Sequence, residues 1–512
     1  MSWGSAFLSS LDAPSKSIEY ALRFIPSTND YFLGAGSTIT TSSLINIGAA
    51  SVTIDNARVT PQRWSVNFGG FTIQINGDLR PIDTSSFRKG MITELFMRRN
   101  RQQPERIAIG QLRSLTGGRG VWRLEFGDFI SAMTTRLSTK ADQLSFYYNA
   151  GTETTVSTNF NMSASANLYL ADITAFEKDS NYDGMIFVDN GSGSTSYYTW
   201  SSKTTTSAPA GYLTITNTGA WPATANLNVL NSGSKVTSLA RLQARADYIF
   251  ARTVMSTGNG TQGWADDYPR SWGSGINWNP DIIDKINMDQ WYLAWRTTSG
   301  THECQLVIEK NQDSGIRHLL NSFLQIGMWP VFRQGRISWR VCQDPEKACA
   351  NLPITAIRET DIIAIESHAI YSPSQSVVYS NSTVIYSSSS GVQAKYTENV
   401  SNVKALPANN EIKRDNSLIY RIDSPVQSSK ASADGARMSA WDLYTYEELT
   451  LAVQERFAGL VAGDIVAITS SLIYGFNDPV GKTYRGKRGM VLGNRWLPNQ
   501  SRCILTIGII GK

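Results

Sequence analysis

The sequence has little charge and few of the residues on which ordinary catalytic sites depend. Charged residues make up 17% of its 512 residues, whereas about 25% is usual. It has three histidines, His302, His318 and His368, and no two of them have the i and i+4 spacing of a metal site on a helix. Walker loops, nucleophile elbows and HExxH motifs are also absent from the sequence. These absences argue against a metabolic enzyme or an ordinary hydrolase.

The sequence also has no long apolar segment. No run reaches 18 consecutive apolar residues, and so we expect no membrane-spanning segment. Residues 1–17 lack the basic start and the apolar centre of a signal peptide. We therefore expect the protein to be made and assembled in a cytoplasm.

Cysteine is too scarce for a disulfide framework, since the whole chain contains four. Three of them, Cys304, Cys342 and Cys349, fall near two predicted strands. With His302 they could hold a zinc ion, and residues 342–349 could instead close a small disulfide loop in an oxidising medium. We favour a third interpretation, in which they are buried thiols without metal. No cofactor is predicted.

Serine, threonine, asparagine and glycine take the place of charged residues, and short strand-like runs recur along the chain. The 14 tryptophans and 21 tyrosines indicate large buried or interfacial areas. The predicted fold is mainly β with some α+β. Its segments are a first β-barrel-like module (1–142), an inserted Ser/Thr-rich β-domain (143–235), a helical or irregular connector completing the first module (236–300), a β-α-β-β domain (301–350) and a second β-barrel-like module (351–512).

Helices are predicted at a few places within these segments. Residues 236–256 show helical periodicity without Pro or Gly. Residues 315–326 form the helix of the β-α-β-β domain, and residues 431–443 precede the last strands. Pro280 is predicted to lie near the first position of a further helix.

The C-terminal residues carry the clearest pattern in the chain. Residues 446–454 alternate apolar and polar side chains, which is typical of a half-buried strand. Gly463 and Asp464 are a turn signal, and a strand resumes at Ile465. Two further strand-like runs follow, the last at 503–509. The sequence predicts a meander in a small barrel or sheet.

Two clusters of basic residues are candidate contact sites. Residues 88–123 contain nine Lys and Arg against two Glu. A solvated hairpin accounts for this excess, and so would an acidic partner subunit or passing nucleic acid. A second cluster lies in a glycine-rich loop that is expected to be exposed. The candidate partner or channel contacts are Arg98, Arg99, Arg101, Arg106, Lys482, Arg485, Lys487 and Arg488.

Aromatic residues cluster between the two ends of the chain. Trp264, Tyr268, Trp272 and Trp278 lie within an irregular, glycine-containing stretch. Sugars stack on flat rings, and so a carbohydrate site is one interpretation. Packing of a linker against a neighbouring domain is the interpretation that we favour.

Several stretches resemble segments of bacteriophage tail baseplate hub proteins. Residues 122–129, with the pattern W-x-L-E-F-x-D-F, resemble the end of a hub first domain. Residues 256–276 are similar to an STG…D-x-x-P…W-G-x-G-I motif of such tail proteins. Residues 354–366 and the strand-like run after them resemble the second barrel of a hub. The resemblance follows the order of elements over most of the chain, and residues 143–235 depart from it.

The resemblance implies a structural protein of the virion, a homotrimeric hub at the tip of the tail tube. Its implied partners are a tail tube or distal tail protein, a central spike or tail fibre protein, the tape measure protein and passing DNA. Three chains with two barrels each would place six barrels around one axis. Two other functions stay open, a receptor-binding or carbohydrate-binding tail protein and a cell-wall-degrading tail enzyme.

Overall fold

Strands dominate the computed structural model, and their number confirms the prediction of a mainly β chain with some helix. The described residues form 28 strands and two α-helices, α1 (Ser5–Ser10) and α2 (Lys285–Trp295). The structure describes residues 3–13, 18–25, 40–47, 52–55, 65–76, 92–100, 103–118, 121–128, 151–162, 165–174, 176–178, 183–191, 195–217, 229–244, 247, 249–250, 284–295, 304–308, 327–347, 352–371, 379–387, 393–399, 416–425, 441, 445–474 and 483–511.

The first sheet is six-stranded and antiparallel, with the order β1-β6-β7-β8-β5-β2. Successive side chains of a strand point to opposite faces, so that Leu95 and Met97 of one strand, and likewise Leu124 and Phe126 of another, point to one buried face. The strands of this region are β1 (Ile18–Ile25), β2 (Thr40–Ile47), β3 (Val52–Asp55), β4 (Ser65–Phe68), β5 (Phe71–Asn76), β6 (Ile92–Arg99), β7 (Glu105–Gly118) and β8 (Val121–Asp128).

The second sheet is also six-stranded and has the order β20-β26-β27-β28-β25-β21. The predicted C-terminal meander forms its β25 to β28, including the predicted last strand. The strands of this region are β20 (Ile354–Arg358), β21 (Ile362–Tyr371), β22 (Tyr379–Ser387), β23 (Gln393–Asn399), β24 (Asn416–Pro425), β25 (Thr445–Gln454), β26 (Ile465–Tyr474), β27 (Thr483–Leu497) and β28 (Arg502–Gly511).

The first and second sheets have the same strand order. When the six strands of each sheet are ranked along the chain, both sheets read first, fourth, fifth, sixth, third, second. In both, extra strands interrupt the chain between the second and third, the hairpin β3–β4 in one case and the sheet β22–β24 in the other. One pairing differs, because β1 and β6 are antiparallel whereas β20 and β26 are parallel.

One hydrophobic core serves both sheets. A single cluster of buried side chains includes Leu95 and Phe126 of the first sheet and Leu451 and Ile507 of the second. Helix α1 adds Phe7 to the same cluster. Burial of so many apolar side chains is the main force that holds two sheets together, and the two sheets therefore form one packed body.

The inserted region forms a sheet of its own, with the order β11-β14-β13-β12-β16-β17 and β9 beside β16. Its core is a separate cluster that includes Trp200, Leu213 and Val236. The strands are β9 (Glu153–Thr155), β10 (Phe160–Asn161), β11 (Asn167–Leu170), β12 (Gly184–Asp189), β13 (Thr195–Ser207), β14 (Ala210–Asn217), β15 (Val229–Leu230), β16 (Lys235–Ala244) and β17 (Cys304–Ile308).

The helix predicted from residue 236 is wrong over 236–244. These residues are β16, which pairs with β9 and β12 on its first half and with β17 on its second. Pairing of this kind outweighs the weak helical preference of the segment, because intrinsic propensity yields to tertiary context. The predicted boundary at 235 therefore separates β16 from the strands to which it is bonded.

The predicted β-α-β-β domain is divided in the structure. Its first strand, β17, belongs to the inserted sheet, while β18 (Met328–Arg333) and β19 (Arg336–Val341) form a separate hairpin. The hairpin turns at Gln334 and Gly335, as predicted, and both have positive φ, 48° and 76°. The predicted helix 315–326 lies outside the described residues, as does nearly all of 431–443.

Candidate functional site

The joint between the first and second sheets contains a fully buried ion pair. Arg99 is the last residue of β6, and Glu455 begins a 3-10 turn directly after β25. Arg99 Nη2 donates to both carboxylate oxygens of Glu455 at 2.9 Å, and neither side chain is exposed. Trp496 Nε1 donates to the same carboxylate at 2.9 Å. A buried charge without its partner is strongly unfavourable, and so this pair restricts how the sheets can separate.

Aromatic side chains surround the buried ion pair. The ring of Trp3 lies 5.6 Å from that of Trp496 and 5.1 Å from that of Phe7. Trp3 Nε1 donates to the carbonyl of Arg106 at 2.9 Å. Burial raises the pKa of Tyr20, although the nearby Arg99 lowers it. The joint is therefore a buried contact in which Tyr20 stays protonated.

The hairpin β18–β19 contacts both sheets and bridges them. On the second sheet, Trp329 Nε1 donates to the carbonyl of Ala462 at 3.3 Å, and Arg340 Nε donates to Asp464 Oδ1 at 2.8 Å. On the first sheet, Arg106 Nε donates to the carbonyl of Gly335 at 2.6 Å. The side chains of both hairpin strands are almost all buried. The hairpin therefore lies between the first and second sheets and is bonded to both, and we call β18–β19 the hairpin wedge.

The predicted Gly463-Asp464 turn is where the hairpin meets the second sheet. Gly463 has φ 103°, a backbone conformation that favours glycine. A β-carbon at this position would lie 2.7 Å from the β-carbon of Arg340. Asp464 uses its second oxygen to accept the backbone N–H of Val461 at 2.9 Å. The turn thus places a carboxylate against a buried guanidinium.

One of the predicted basic contact residues, Arg99, is internal, which corrects the sequence-based expectation for it, and Arg106 is half-buried. Arg99 is 0% exposed and bonds to Glu455, so it cannot line a channel or reach a partner subunit. Arg106 donates to Glu94 at 2.5 Å as well as to Gly335. Both guanidinium groups are bonded to groups of the same chain. A cluster of basic residues in the sequence does not indicate which of them have such partners.

The remaining basic candidates differ in their surroundings. Arg98 is half-buried on β6, and Arg485 is exposed on β27. Lys487 and Arg488 also lie on β27 and not in a loop. Lys487 pairs with the carboxylate of Glu346 at 2.9 Å, and Arg488 donates to the backbone carbonyl of Glu346 at 3.4 Å. Residues Arg101 and Lys482 lie outside the described residues.

A cluster of three polar side chains lies on the second sheet. His368 Nε2 is 3.1 Å from Glu447 Oε2, and the hydroxyl of Tyr484 donates to the same oxygen at 2.5 Å. Burial raises the pKa of Tyr484, and the bond to Glu447 adds to the effect. The cluster joins β21, β25 and β27 by hydrogen bonds that converge on the carboxylate of Glu447.

Metal-binding groups are not found among the residues that the structure describes. No three His, Cys, Asp or Glu side chains there converge on one point. Cys342 and Cys503 are buried thiols. Cys304 lies on β17, and Cys349 and His302 lie outside the described ranges, as do Trp264, Tyr268, Trp272 and Trp278.

The outer face of the inserted sheet carries an aromatic pair beside a row of hydroxyl groups. Tyr169 and Tyr212 are cross-strand neighbours with ring centres 5.2 Å apart, and Tyr169 is 39% exposed. Ser202 donates to Thr214 at 3.0 Å on the same face. Thr216 donates to Asp183 at 2.5 Å. The sequence analysis missed this face, although alternation along 167–170 and 210–217 could have indicated it.

Comparison with known proteins gives structural neighbours alone, since no family model and no curated protein matches the chain. A tail protein from Neisseria meningitidis is 9% identical, with 96% of each chain covered and a TM-score of 0.36. A 43 kDa tail protein of prophage MuSo2 from Shewanella oneidensis is 9% identical, with 96% of this chain and 98% of that one covered and a TM-score of 0.34.

A third neighbour comes from the virion of a native gene transfer agent particle. It is 11% identical, with 73% of this chain and 86% of that chain covered and a TM-score of 0.32. The first two neighbours are tail proteins, and the third is part of a virion. At such low identity, function has to be argued from the residues of this chain. Among the described helices, none has the length and apolarity needed to cross a membrane.

Proposed function

We propose that this protein is a structural, non-catalytic hub of a phage tail baseplate or tail tip. Three copies would form a ring that joins the tail tube or distal tail protein to the spike or fibre. The bore of the ring would hold the tape measure protein and then form part of the channel for DNA ejection. The protein would be assembled in the host cytoplasm and reside in the virion tail.

The observation that carries the proposal is the repeated strand order of the first and second sheets. Two units of one topology, held by a shared core and the Arg99–Glu455 pair, give each chain two similar surfaces. Three such chains would present six similar surfaces around one axis. A ring of this kind could meet a sixfold tube on one side and a threefold spike on the other, because closed assemblies match their interfaces by symmetry.

A cryo-EM reconstruction of the purified protein tests this proposal. The expected result is a trimer in which the first and second sheets superimpose by rotation about the central axis. The trimer should enclose an open bore. A monomer in solution, or an assembly in which the two sheets lie at unrelated radii, would contradict the hub function.

We propose carbohydrate binding by the inserted sheet as the second candidate function. The observation that favours it is the outer face with Tyr169, Tyr212 and the hydroxyl row ending at Asp183. Aromatic rings offer flat apolar surfaces to sugar rings, while hydroxyl and carboxylate groups bond to sugar hydroxyls. Such a face would let a tail protein attach to a host surface.

Binding to a glycan array, followed by titration of the best ligand, tests this second candidate. Tyr169→Ala should weaken binding by about tenfold, the amount expected for one lost aromatic contact. Val229→Ala is the matched control, since it removes another exposed apolar side chain of the same domain. If no glycan binds the wild-type protein, or both variants bind equally well, the face has another use.

A further inference from the structure

A cavity of about 180 Å³ lies where the hairpin β18–β19, helix α2 and the 3-10 turn after β25 meet. One water molecule occupies about 30 Å³ of liquid, and so this space holds a group larger than a single water. Arginine predominates among the charged residues that line it. The polar lining includes Arg333, Arg340, Arg456, Asn287, Gln334 and Asp464.

The charged groups lie at different depths in the cavity. The side chain of Arg340 is 1% exposed, that of Arg333 25% and that of Arg456 40%. Arg340 therefore forms the floor, and the other two arginines lie nearer to the entrance. Arg333 pairs with Asp284 at 3.6 Å, and Arg456 pairs with Asp361.

Arg340 has donor capacity that the described residues do not use. Its Nε donates to Asp464, and its Nη1 donates to Asn287 at 2.7 Å, Ser338 at 3.1 Å and the carbonyl of Trp339 at 2.7 Å. No hydrogen bond joins Nη2 to any residue that the structure describes. Nη2 is not among the fully buried atoms that lack a partner. Because the side chain of Arg340 lines the cavity, Nη2 can donate to an acceptor bound there.

Trp291 supplies a second unused donor. Its ring lies under the guanidinium of Arg340, with 4.6 Å between the guanidinium carbon and the ring centre. The side chain lines the cavity, and its Nε1 has no hydrogen-bond partner in the described part of the chain. Gln334 also lines the cavity, and its Oε1 is a buried acceptor without a partner in the described part of the chain. This oxygen can accept a hydrogen bond from a water or a hydroxyl group.

The occupant of this cavity should be an anion. Among the described residues of the lining, Asp464 is the one carboxylate, and both its oxygens are already bonded, to Arg340 and to Val461. Three guanidinium groups repel a cation. Burial lowers the pKa of Arg340 to about 10, although Asp464 opposes the shift.

We propose that this cavity binds a small oxyanion, a carboxylate or a phosphate group, through Arg340 Nη2 and Trp291 Nε1. Arginine suits this role because its planar fork of donors matches the geometry of both groups. Arg333 and Arg456 attract the anion at the entrance. The site does not depend on the trimer, and it adds a ligand at the contact between the hairpin wedge and the second sheet.

Isothermal titration of the full chain with inorganic phosphate, and separately with glutamate, tests the site and distinguishes its two sources of ligand. Saturable binding of one anion to the wild-type protein is the expected result. Trp291→Phe keeps the ring and removes the donor, and it should weaken binding at least about tenfold, the equivalent of one charge-assisted hydrogen bond. Arg333→Gln should also weaken binding, because it removes a charge at the entrance.

The control is Arg495→Gln, which removes an exposed charge on β27 away from the cavity lining. This control variant should bind the anion with the same affinity as the wild-type protein. Circular dichroism and unfolding curves establish that each variant is folded. The proposal is overturned if neither anion binds saturably, if all three variants bind equally, or if a structure in phosphate and glutamate has water alone beside Arg340.

Discussion

At the scale of single residues, local signals were predictable and distant partners were not. The Gly463-Asp464 and Gln334-Gly335 turns follow from dipeptides whose backbone preferences act over two residues. The burial of Arg99 depends on Glu455, which is 356 positions away in the sequence. Nothing within residues 88–123 indicates a partner so far away in the sequence, and the basic cluster was therefore expected to lie on the surface.

Loss of the charge on Glu455 should strongly destabilise the protein. Glu455→Gln keeps the size of the side chain but leaves Arg99 as an uncompensated buried cation, which should cost about 3 to 5 kcal/mol of unfolding free energy. The control is Glu125→Gln, in an exposed pair with Arg123 at 3.2 Å, which should cost less than about 1 kcal/mol. Urea unfolding measures both. Equal losses would mean that the buried pair is energetically unimportant.

A methyl group at Gly463 should loosen the contact between the hairpin wedge and the second sheet. Gly463→Ala combines a left-handed backbone conformation with a β-carbon 2.7 Å from that of Arg340. Gly233→Ala is the matched control, because φ is 89° there and nothing lies within 4 Å. The difference between their losses of unfolding free energy isolates the steric term, expected at about 1 to 3 kcal/mol. Equal losses would show that the hairpin adapts freely.

At the scale of elements, strands were predictable wherever apolar and polar residues alternate against one buried face. Residues 447–451 of β25 have this pattern, as do residues 502–507 of β28 and the described side chains of β8. Residues 236–244 lack it, since four consecutive side chains, Val236 to Leu239, are buried. A strand covered on both faces loses its alternation. Residues 236–244 therefore lacked the signal by which the other strands were recognised.

The structure predicts where the inserted domain ends. A fragment of residues 151–244 contains β16 and the whole cluster that includes Trp200 and Val236, and it should fold cooperatively by itself. A fragment of residues 151–235 lacks β16, to which β9 and β12 pair, and it should stay unfolded. Thermal unfolding followed by circular dichroism compares the two. Equal folding of both fragments would restore the boundary at 235.

At the scale of the whole molecule, the repeated strand order could not be found in the sequence. Corresponding strands have dissimilar residues, for example VWRLEFGD in β8 and RCILTIGIIG in β28. A sheet face accepts many apolar residues at each position, and topology can therefore persist after sequence similarity is lost. Two similar modules were expected from the resemblance to hub proteins, while the order of pairing required the structure.

Charge reversal on the second sheet should separate folding from assembly. Arg485 is the exposed basic candidate on β27, and an acidic surface of a neighbouring subunit would be repelled by Arg485→Glu. Like charges brought together at an interface cost several kcal/mol, so the trimer fraction in light scattering should fall while the midpoint of thermal unfolding stays unchanged. Arg123→Glu makes the same charge change on an exposed strand of the first sheet and is the control. If both variants form trimers as the wild-type protein does, Arg485 is not a subunit contact, and the basic start of β27 faces solvent or the bore.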